Sequence, residues 1–290
     1  MSESIFQNAA ITSGLLSRQQ LDDALHGLVG SSANGPQTIA EVLDEELVNR
    51  VVELGYLNRW QAEQLKEGRT KFTLGPYKIV NAIGRGGMGH VFKAEHKLLG
   101  RVEAVKVLPK GRSTPEAIAA FQREIRAQAQ LDHPNLVRAT YADHEGDTYF
   151  FVTEYVPGTD LRKLVRRNGP LSAAIAATII SQVAEGLHYA HRKGLVHRDV
   201  KPGNVLVRRE GGWEVRLIDF GLALRQRAVR ETVSNASASL RTLVGQSIAG
   251  TLDYAAPEQM GKLSGVTVGP HSDIYGFGRT ACYALFGTPQ

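Results

Sequence analysis

The residues that could do chemistry begin with a glycine-rich segment, residues 84–89, whose sequence GRGGMG has the spacing G-x-G-x-x-G. Glycines let backbone N–H groups approach phosphate oxygens closely, so the segment could bind a nucleotide. A dinucleotide site would need a helix to begin at the third glycine. Residues 91–94, VFKA, favour a strand instead, which argues against that site. By itself the segment is equally compatible with an ordinary glycine-rich hairpin turn.

A lysine in an apolar strand follows this segment. Lys106 lies in the sequence AVKVL at residues 104–108, where a lysine is often only the solvent-facing half of an alternating strand. Its flanks and its distance from the glycines match the V-A-I-K strand of protein kinases, and here the sequence begins to resemble that family. The resemblance implies that Lys106 pairs with the α- and β-phosphates of ATP. It also implies that Glu124, in a predicted helix over 115–131, positions that lysine.

A second set of motifs carries the resemblance further. Residues 197–204, HRDVKPGN, match the kinase motif H-R-D-x-x-x-x-N at every specified position. The triplet DFG follows at 219–221 and the triplet APE at 256–258. Their joint occurrence in this order makes a chance match implausible, and the resemblance covers residues 77–290. The chain is identified as a member of the eukaryotic-type (Hanks-type) serine/threonine protein kinases, in a bacterial form.

The resemblance implies a role for each residue of the catalytic segment. Phosphoryl transfer needs charge neutralisation and an aligned acceptor more than covalent help. Asp199 is implied as the base that orients the acceptor hydroxyl, while Asn204 and Asp219 are implied as Mg²⁺ ligands because they offer hard oxygen donors. Lys201 is typical of kinases that act on Ser and Thr, where it contacts the γ-phosphate. Thr251, in GTLDY, resembles the threonine that contacts this pair, so both residues favour Ser and Thr over Tyr as acceptor.

The same resemblance implies an ATP site whose adenine is read by the backbone of the hinge between two lobes. The implied ATP-binding residues are Ile83, Gly84, Arg85, Gly86, Gly87, Met88, Gly89, Val91, Ala104, Lys106, Glu154, Val156 and Leu206. For the apolar members, ordinary core packing is an equally good interpretation. Asp273 resembles the buried aspartate that positions the catalytic loop, which is a structural role.

The segment between DFG and APE suggests control by phosphorylation. Residues 222–249 contain several Ser and Thr residues among arginines. Arg198, directly before Asp199, is typical of kinases in which a phosphate added to this segment pairs with an arginine and orders the loop. We predict autophosphorylation at Thr242 or Ser247. A polar loop without that role is the alternative interpretation.

The periodicity of the chain fits these motifs. Strand patterns at 77–83, 90–96, 102–108, 136–141 and 148–155 are followed, from residue 160 onward, by mostly helical patterns such as 172–193. We therefore predict an α+β, bilobal protein-kinase fold. It would have a strand-rich N-lobe at 77–153, a hinge at 154–158 and a helix-rich C-lobe at 159–290.

Residues 1–76 differ from the rest and predict an all-helical extension. The segments SRQQL at 17–21 and NRWQA at 58–62 each follow a Gly-x-Leu step, and both start with a good N-cap residue. The similarity, 41 residues apart, indicates either a repeated helix pair or a coincidence between two short amphipathic helices. A further helix is predicted over 37–54. The extension resembles those of planctomycete kinases, and its partner is unknown.

Composition excludes several classes of protein. With 42% hydrophobic and 22% charged residues, the chain is neither disordered nor collagen-like. The longest apolar stretch, residues 173–180, is too short to span a bilayer, so no membrane segment is predicted. The single cysteine, Cys282, excludes an internal disulfide and favours a reducing, cytoplasmic location. The positive charge excess of 34 − 29 = 5 fits phosphate handling, and no nucleic-acid motif is present.

The length of the predicted kinase region, 290 − 76 = 214 residues, is short for this family. The last three helices of the family are expected to be missing, which predicts a C-terminally truncated domain of low stability and impaired activity. Glu258 is expected to lack the arginine with which this glutamate pairs in kinases, and a buried unpaired carboxylate is costly.

Three functions compete at this point. The first is an active Mg-ATP-dependent kinase for Ser and Thr in protein substrates. The second is a kinase-like scaffold or inactive fragment that acts by binding, which the presence of Lys106, Asp199 and Asp219 disfavours. The third is a small-molecule phosphotransferase, which Lys201 and the GTLDYAAPE segment disfavour.

Overall fold

The computed structural model describes residues 4–29, 36, 38–39, 42–86, 89–108, 114–220, 252–263 and 265–289. Contacts divide the chain into two units. The first comprises Met1–Gly84 with Val91–Glu103, and the second comprises Arg85–His90 with Ala104–Gln290.

Helices form the first part of the first unit. They are α1 (Ile5–Thr12), α2 (Arg18–His26), α3 (Asp44–Glu53) and α4 (Arg59–Lys66). At Ser4, Ser17 and Asn58 the side-chain oxygen accepts a hydrogen bond from the backbone N–H three residues later. The residue at that later position is a glutamine, and its side-chain oxygen accepts from the backbone N–H of the cap residue. Such reciprocal capping boxes satisfy backbone groups that a helix start would otherwise leave unpaired. Apolar side chains of all four helices share one core, which includes Phe6, Leu21, Leu47, Val51 and Leu65.

Of the helix predicted over residues 37–54, the structure has Asp44–Glu53 as α3, and the described residues 42 and 43 before it are not helical. Helix α3 begins at Asp44, after Leu43 in an extended conformation with ψ 147°. Asp44, Glu45 and Glu46 occupy its first turn, where negative charge favours the positive end of the helix dipole. The Glu46 carboxylate also accepts from the Leu43 N–H at 3.1 Å. These acidic residues mark the true start.

Strands complete the first unit. They are β1 (Thr73–Leu74), β2 (Tyr77–Gly86) and β3 (Gly89–His96), which lie side by side in that order. β1 and β2 pair in antiparallel register with Leu74 opposite Tyr77. The buried Tyr77 hydroxyl donates to Glu103 at 3.1 Å. The glycine-rich residues 84–86 end β2 and Gly89 begins β3, in agreement with the strands predicted on either side of this segment.

The second unit opens with strands and a helix. These are β4 (Val102–Val107), within which the division between units falls, α5 (Pro115–Gln128), β5 (Ala139–Glu145) and β6 (Thr148–Glu154), with strands ordered β4-β6-β5. The strand predicted over 136–141 is displaced toward the C-terminus. Residues 136 and 137 instead pair with Leu217 at the end of the ninth strand. Leu136 forms an isolated bridge with Leu217, and the Val137 N–H donates to the Leu217 carbonyl at 3.0 Å.

Helices and a small sheet build the rest of the second unit. They are β7 (Thr159–Asp160), α6 (Leu161–Asn168), α7 (Ala173–Arg192), β8 (Val205–Arg209), β9 (Trp213–Leu217) and α8 (Pro270–Phe286), with strands ordered β7-β8-β9. The core runs along α7 and includes Ile179, Val183 and Leu187. An added Cβ at Gly186 would lie 2.9 Å from Leu136 Cδ2, so glycine permits this close packing. Among the described helices, none has the length and apolar character to cross a bilayer.

Candidate active site

The catalytic segment lies between α7 and β8 and places three predicted residues together. The Lys201 ammonium is 3.0 Å from Asp199 Oδ2. Asn204 Nδ2 donates to the same carboxylate oxygen and to the Asp199 backbone carbonyl, both at 2.8 Å. The short 3₁₀ helix Pro202–Asn204 brings the amide back to the aspartate across a gap of five residues. Asp199 is thereby held in one orientation by a cation and by an amide.

A second pair joins the lysine strand to the aspartate of the DFG triplet. Lys106 Nζ lies 2.7 Å from Asp219 Oδ1, in a partly buried contact between residues far apart in sequence. Burial by itself raises the pKa of the Asp219 carboxyl, but the charge and hydrogen bond of Lys106 outweigh this and the pKa is lowered. Asp219 therefore remains a carboxylate. Its positive φ of 60° is costly for a residue with a Cβ and fixes the direction of the side chain.

Burial also tunes Lys201. Loss of water lowers the pKa of its ammonium group from 10.5 to about 8, and the positive charges of Arg162 and Lys106 act in the same direction. The negative charge of Asp219 opposes them. Lys201 is therefore the basic group of this site whose charge changes just above neutral pH.

His197 has a structural role beneath the segment. It is fully buried, its Nε2–H donates to the Ile218 carbonyl at 3.0 Å, and its Nδ1 accepts from the Asp199 N–H at 3.3 Å. One neutral tautomer satisfies both bonds. Burial lowers the pKa of His197, which keeps the ring in this neutral form. The histidine thus links the segment before DFG to the backbone of the proposed base.

Asp273, in the first turn of α8, positions the same loop, as the sequence predicts. Its carboxylate accepts from the backbone N–H of His197 at 2.7 Å and from that of Arg198 at 2.6 Å. His191 Nε2 contributes a third bond at 2.7 Å, which the sequence motifs did not indicate. Arg198 has a positive φ of 65°, and these bonds stabilise that strained backbone.

Gln259 is a further link that the motifs did not assign. Its Nε2 donates to the Arg198 carbonyl at 2.8 Å, and its Oε1 accepts from the Ala256 N–H at 2.9 Å. Gln259 directly follows the APE triplet, and nothing in the sequence predicts its contact with Arg198. It connects the end of the activation segment to the catalytic loop.

Gly276 of α8 was also missed by the sequence analysis. A Cβ at this position would lie 2.7 Å from the carbonyl oxygen of Val200 and 3.3 Å from that of Tyr254. Such a separation is too short for any side chain, so only glycine lets the helix approach the catalytic loop this closely. A conserved glycine in a helix could have suggested this contact, but a single sequence cannot show conservation.

Glu258, which was expected to lack its arginine and so to be unpaired, has other partners in the structure. This buried glutamate accepts from the Ser272 hydroxyl at 2.5 Å and lies 3.4 Å from His271 Nε2. The hydrogen bond from Ser272 lowers the pKa of Glu258 despite its burial. The partners come from the start of α8, which the motif comparison did not consider.

Glu154, the last residue of β6, begins the predicted hinge, and its side chain contacts Arg138 and Arg216. Its Oε1 accepts from the Arg138 N–H at 2.9 Å and lies 3.8 Å from Arg216 Nε. Its backbone N–H donates to the Arg138 carbonyl at 3.0 Å. Val156 follows in an irregular segment, and Leu206 lies in β8 of the same unit.

Several predicted site residues fall outside what the structure describes. These are Gly87, Met88, Thr242, Ser247 and Thr251, together with the side chains of Arg85 and Glu124. Glu124 lies in α5 and Gly86 ends β2, as far as the backbone is concerned. Ile83, Gly84, Gly89 and Val91 lie on β2 and β3, and Ala104 lies on β4.

The donor set of Asn204 and Asp219 fits Mg²⁺. Asn204 uses its Nδ2 toward Asp199, which leaves its amide oxygen as the atom to offer to a cation. Asp219 binds Lys106 through one oxygen and has a second. Within the described ranges, no group of three or more His, Cys, Asp or Glu residues forms a metal site. Two hard oxygens suit a metal that keeps waters and substrate phosphates as its other ligands.

Comparisons with known proteins agree with this geometry. A family model described as the protein kinase domain matches residues 77–290. The chain is 35% identical over 205 residues to the serine/threonine-protein kinase PrkC of Bacillus subtilis, covering 70% of this chain and 29% of that protein. It is 38% identical over 219 residues to the serine/threonine-protein kinase PknA of Mycobacterium tuberculosis, covering 73% and 47%. The chain thus spans less than half the length of these relatives.

A solved structure extends the comparison to the fold. The crystal structure of the Mycobacterium tuberculosis PknI kinase domain matches with a TM-score of 0.57 at 28% identity, over 75% of this chain and 77% of that one. The predicted α+β kinase fold, with helices preceding it, is confirmed.

Proposed function

The chain belongs to the protein kinase domain family, and we propose that it is a serine/threonine kinase that transfers the γ-phosphoryl group of Mg-ATP to protein substrates. The observation that carries this proposal is the geometry of Asp199. Its carboxylate is fixed by Lys201 and Asn204, so that a base and a cation lie within one hydrogen-bonded group. Such an arrangement suits transfer to a hydroxyl, for which positioning and charge stabilisation supply most of the catalysis.

Each residue of the site is proposed to act on a different group in the reaction. Asp199 accepts a hydrogen bond from the acceptor hydroxyl and takes its proton as the oxygen attacks. The Lys201 ammonium stabilises negative charge on the transferred group, and Lys106 does so on the phosphates that remain. Asn204 and Asp219 would hold Mg²⁺, which neutralises phosphate charge when bound. Glu124 and Thr251 are proposed to position Lys106 and the Asp199–Lys201 pair, respectively.

The ATP site is proposed to use the backbone of two segments. The glycine-rich turn at 84–89 would direct N–H groups to the phosphates, and the backbone at Glu154 and Val156 would bind adenine. The remaining ATP contacts stay as predicted from the sequence.

The acceptor class and the setting follow from the same resemblance. Lys201 lies against Asp199, the position in which it is typical of Ser/Thr kinases, and the named relatives are serine/threonine kinases. We propose Ser and Thr side chains of proteins as substrates and a cytoplasmic location, where ATP is present and Cys282 stays reduced. The helices before residue 73 are proposed to bind a partner.

Transfer activity can be tested against one matched pair of variants. Asp199→Asn keeps the size of the side chain and removes the base, so kcat for phosphorylation of a generic basic protein should fall by about 10²–10⁴. Binding of ATP, measured by calorimetry, should persist. Asp147→Asn, at an exposed turn residue of the same unit, should leave kcat unchanged. Absence of transfer by the wild-type chain, with ATP still bound, would instead favour the binding scaffold.

Autophosphorylation in the activation segment is a second part of the proposal. The Arg198 side chain is exposed while its backbone is fixed by Asp273, so the guanidinium is available to a phosphate. Incubation with Mg-ATP followed by mass spectrometry should place phosphate on Thr242 or Ser247. Phosphate found only outside residues 222–251 would contradict this.

A further inference from the structure

The two helix pairs of the first unit share one construction. Gly14 and Gly55 end the first helix of each pair with positive φ of 67° and 70°. The leucine two residues later is buried in both, and the next residue caps the second helix through a capping box. The pairs are related by the offset of 41 residues seen in the sequence. The structure therefore favours a repeated helix pair over coincidence.

The pairs differ where the second one contacts the strands. Ser17 and Gln19 of α2 are exposed. Their counterparts in α4 are Asn58 and Trp60, which are both partly buried. The repeat thus keeps its fold at matching positions and changes the residues that face the sheet.

Asn58 connects α4 to β2. Its Oδ1 accepts from the Gln61 N–H at 3.0 Å, which caps the helix, while its Nδ2 donates to the Val80 carbonyl at 2.8 Å. A side chain must both accept and donate to do this, and an amide has both groups. Serine, the residue of the first pair, can cap a helix but is too short to make the second bond.

Trp60 connects α4 to β3. Its ring centroid lies 6.0 Å from that of Phe72 in an edge-on contact and 6.1 Å from that of Phe92 in a tilted one. Phe72 belongs to the core of the helices, whereas Phe92 lies on β3. Aromatic pairs at such distances stabilise beyond the area they bury. The tryptophan therefore joins the helical core to the strand.

Both contacts fall on the strands that flank the glycine-rich turn. Val80 lies on β2, which ends at Gly86, and Phe92 lies on β3, which begins at Gly89. Residues 84–86 and Gly89 belong to these two strands, so their position depends on where the strands lie. One helix fixes both of them.

We propose that α4 is a positioning element for the nucleotide site, in which Asn58 and Trp60 fix the strands on either side of the glycine-rich turn and thereby raise the affinity for ATP. This rests on the proposed function, in which that turn contacts the phosphates. Asn58 and Trp60 act through the strands and touch no substrate. The loss of these contacts should weaken ATP binding and leave the chemical step almost unaltered.

The repeat itself supplies the test. Asn58→Ser and Trp60→Gln install the residues of the first pair, which are compatible with the same helix. A hydrogen bond or an aromatic contact changes an equilibrium constant by about two- to tenfold. We expect the double variant to raise the Kd and KM for ATP by about three- to tenfold, with kcat within about twofold of wild type. Ser17→Ala and Gln19→Ala, at the matching positions of the first helix pair, should leave the Kd and KM for ATP and the kcat unchanged.

Amide hydrogen exchange separates a local effect from general loss of stability. In the nucleotide-free double variant, exchange should become faster in β2 and β3 and stay unchanged in α7. The inference would be overturned if all variants bound ATP with the same affinity as the wild type. It would also be overturned if amide exchange in β2 and β3 were the same in the double variant as in the wild type. If the wild type transfers no phosphate while the Kd for ATP still responds to the double variant, the proposed function fails and the inference stands.

Discussion

Gly276 offers the sharpest test of how α8 positions the catalytic loop. The substitution Gly276→Ala places a Cβ 2.7 Å from the Val200 carbonyl oxygen, whereas ordinary van der Waals contact begins at 3.4 Å. The helix and the loop must therefore separate by about 3.4 − 2.7 = 0.7 Å. Val200 lies between Asp199 and Lys201, so the displacement acts on both residues of the proposed catalytic pair.

A matched control lies two residues further along the same helix. Gly278 is exposed, and a Cβ added there meets no atom of the described residues within 4 Å. Both substitutions gain about 0.5–1 kcal/mol of helix stability, because alanine restricts the unfolded chain. The difference between them therefore isolates the steric contact, which as overpacking should cost about 1–3 kcal/mol.

The assay is denaturant unfolding of both variants together with steady-state kinetics. Gly278→Ala should be as stable as wild type or more so, with unchanged kcat. Gly276→Ala should be less stable than Gly278→Ala by about 1–3 kcal/mol. Its kcat should fall at least about tenfold, since displacement of catalytic groups by about 1 Å can cost about a hundredfold. Equal stability and equal kcat in the two variants would refute the role of this close approach.

Three further predictions concern charged groups of the second unit. The kcat/KM for ATP should fall as the pH rises through about 8, where Lys201 loses its proton, and Lys201→Arg should remove that alkaline limb in a pH–rate profile. The pKa of Lys201 is lower in the folded chain than in the unfolded chain, so the unfolded chain binds more protons between pH 8 and 10.5. The contribution of this group to stability therefore rises as the pH rises over that range. Asp273→Asn replaces a carboxylate oxygen that accepts from backbone N–H groups by an amide N–H that cannot accept. The free energy of unfolding in urea should therefore fall by about 1–3 kcal/mol, and an unchanged midpoint would contradict this. Ser272→Ala should raise the pKa of Glu258 toward 4.5 and cost about 1.5 kcal/mol at pH 7, a loss that fades as the pH falls below 4.5; an equal loss at pH 7 and at pH 3 would show that another contact is responsible.

Most of the catalytic site could be predicted because its residues are close together in the chain or have fixed spacing. Residues 197–204 form one segment, and in the structure Asp199 lies within hydrogen-bond distance of both Lys201 and Asn204. The pairing of Lys106 with Asp219 spans 113 residues; both motifs could be recognised in the sequence, but their direct contact was not predicted. The elements around them were predicted with errors of a few residues at their ends.

The positioning contacts could not be predicted, because they join residues with no common motif. Gln259 reaches Arg198 across 61 residues, and His191 reaches Asp273 across 82. The partners of Glu258 lie at the start of α8, where nothing in the sequence singles out a serine. Which polar groups meet in a core depends on how helices pack, and periodicity defines only the apolar face of each helix.

Sequence alone indicated the family of this protein and the chemistry that we propose for it, because the glycine-rich segment, the lysine strand and the HRD and DFG motifs occur together in protein kinases. It also indicated two similar helix starts, but it left repeat and coincidence equally open. Tertiary structure decided what those helices do, since the contacts of Asn58 and Trp60 with β2 and β3 arise from packing between segments that share no pattern. The physical reason is that spacing along the chain fixes local hydrogen bonds and caps, whereas contacts between distant segments are set by shape, burial and the close approach that a glycine permits.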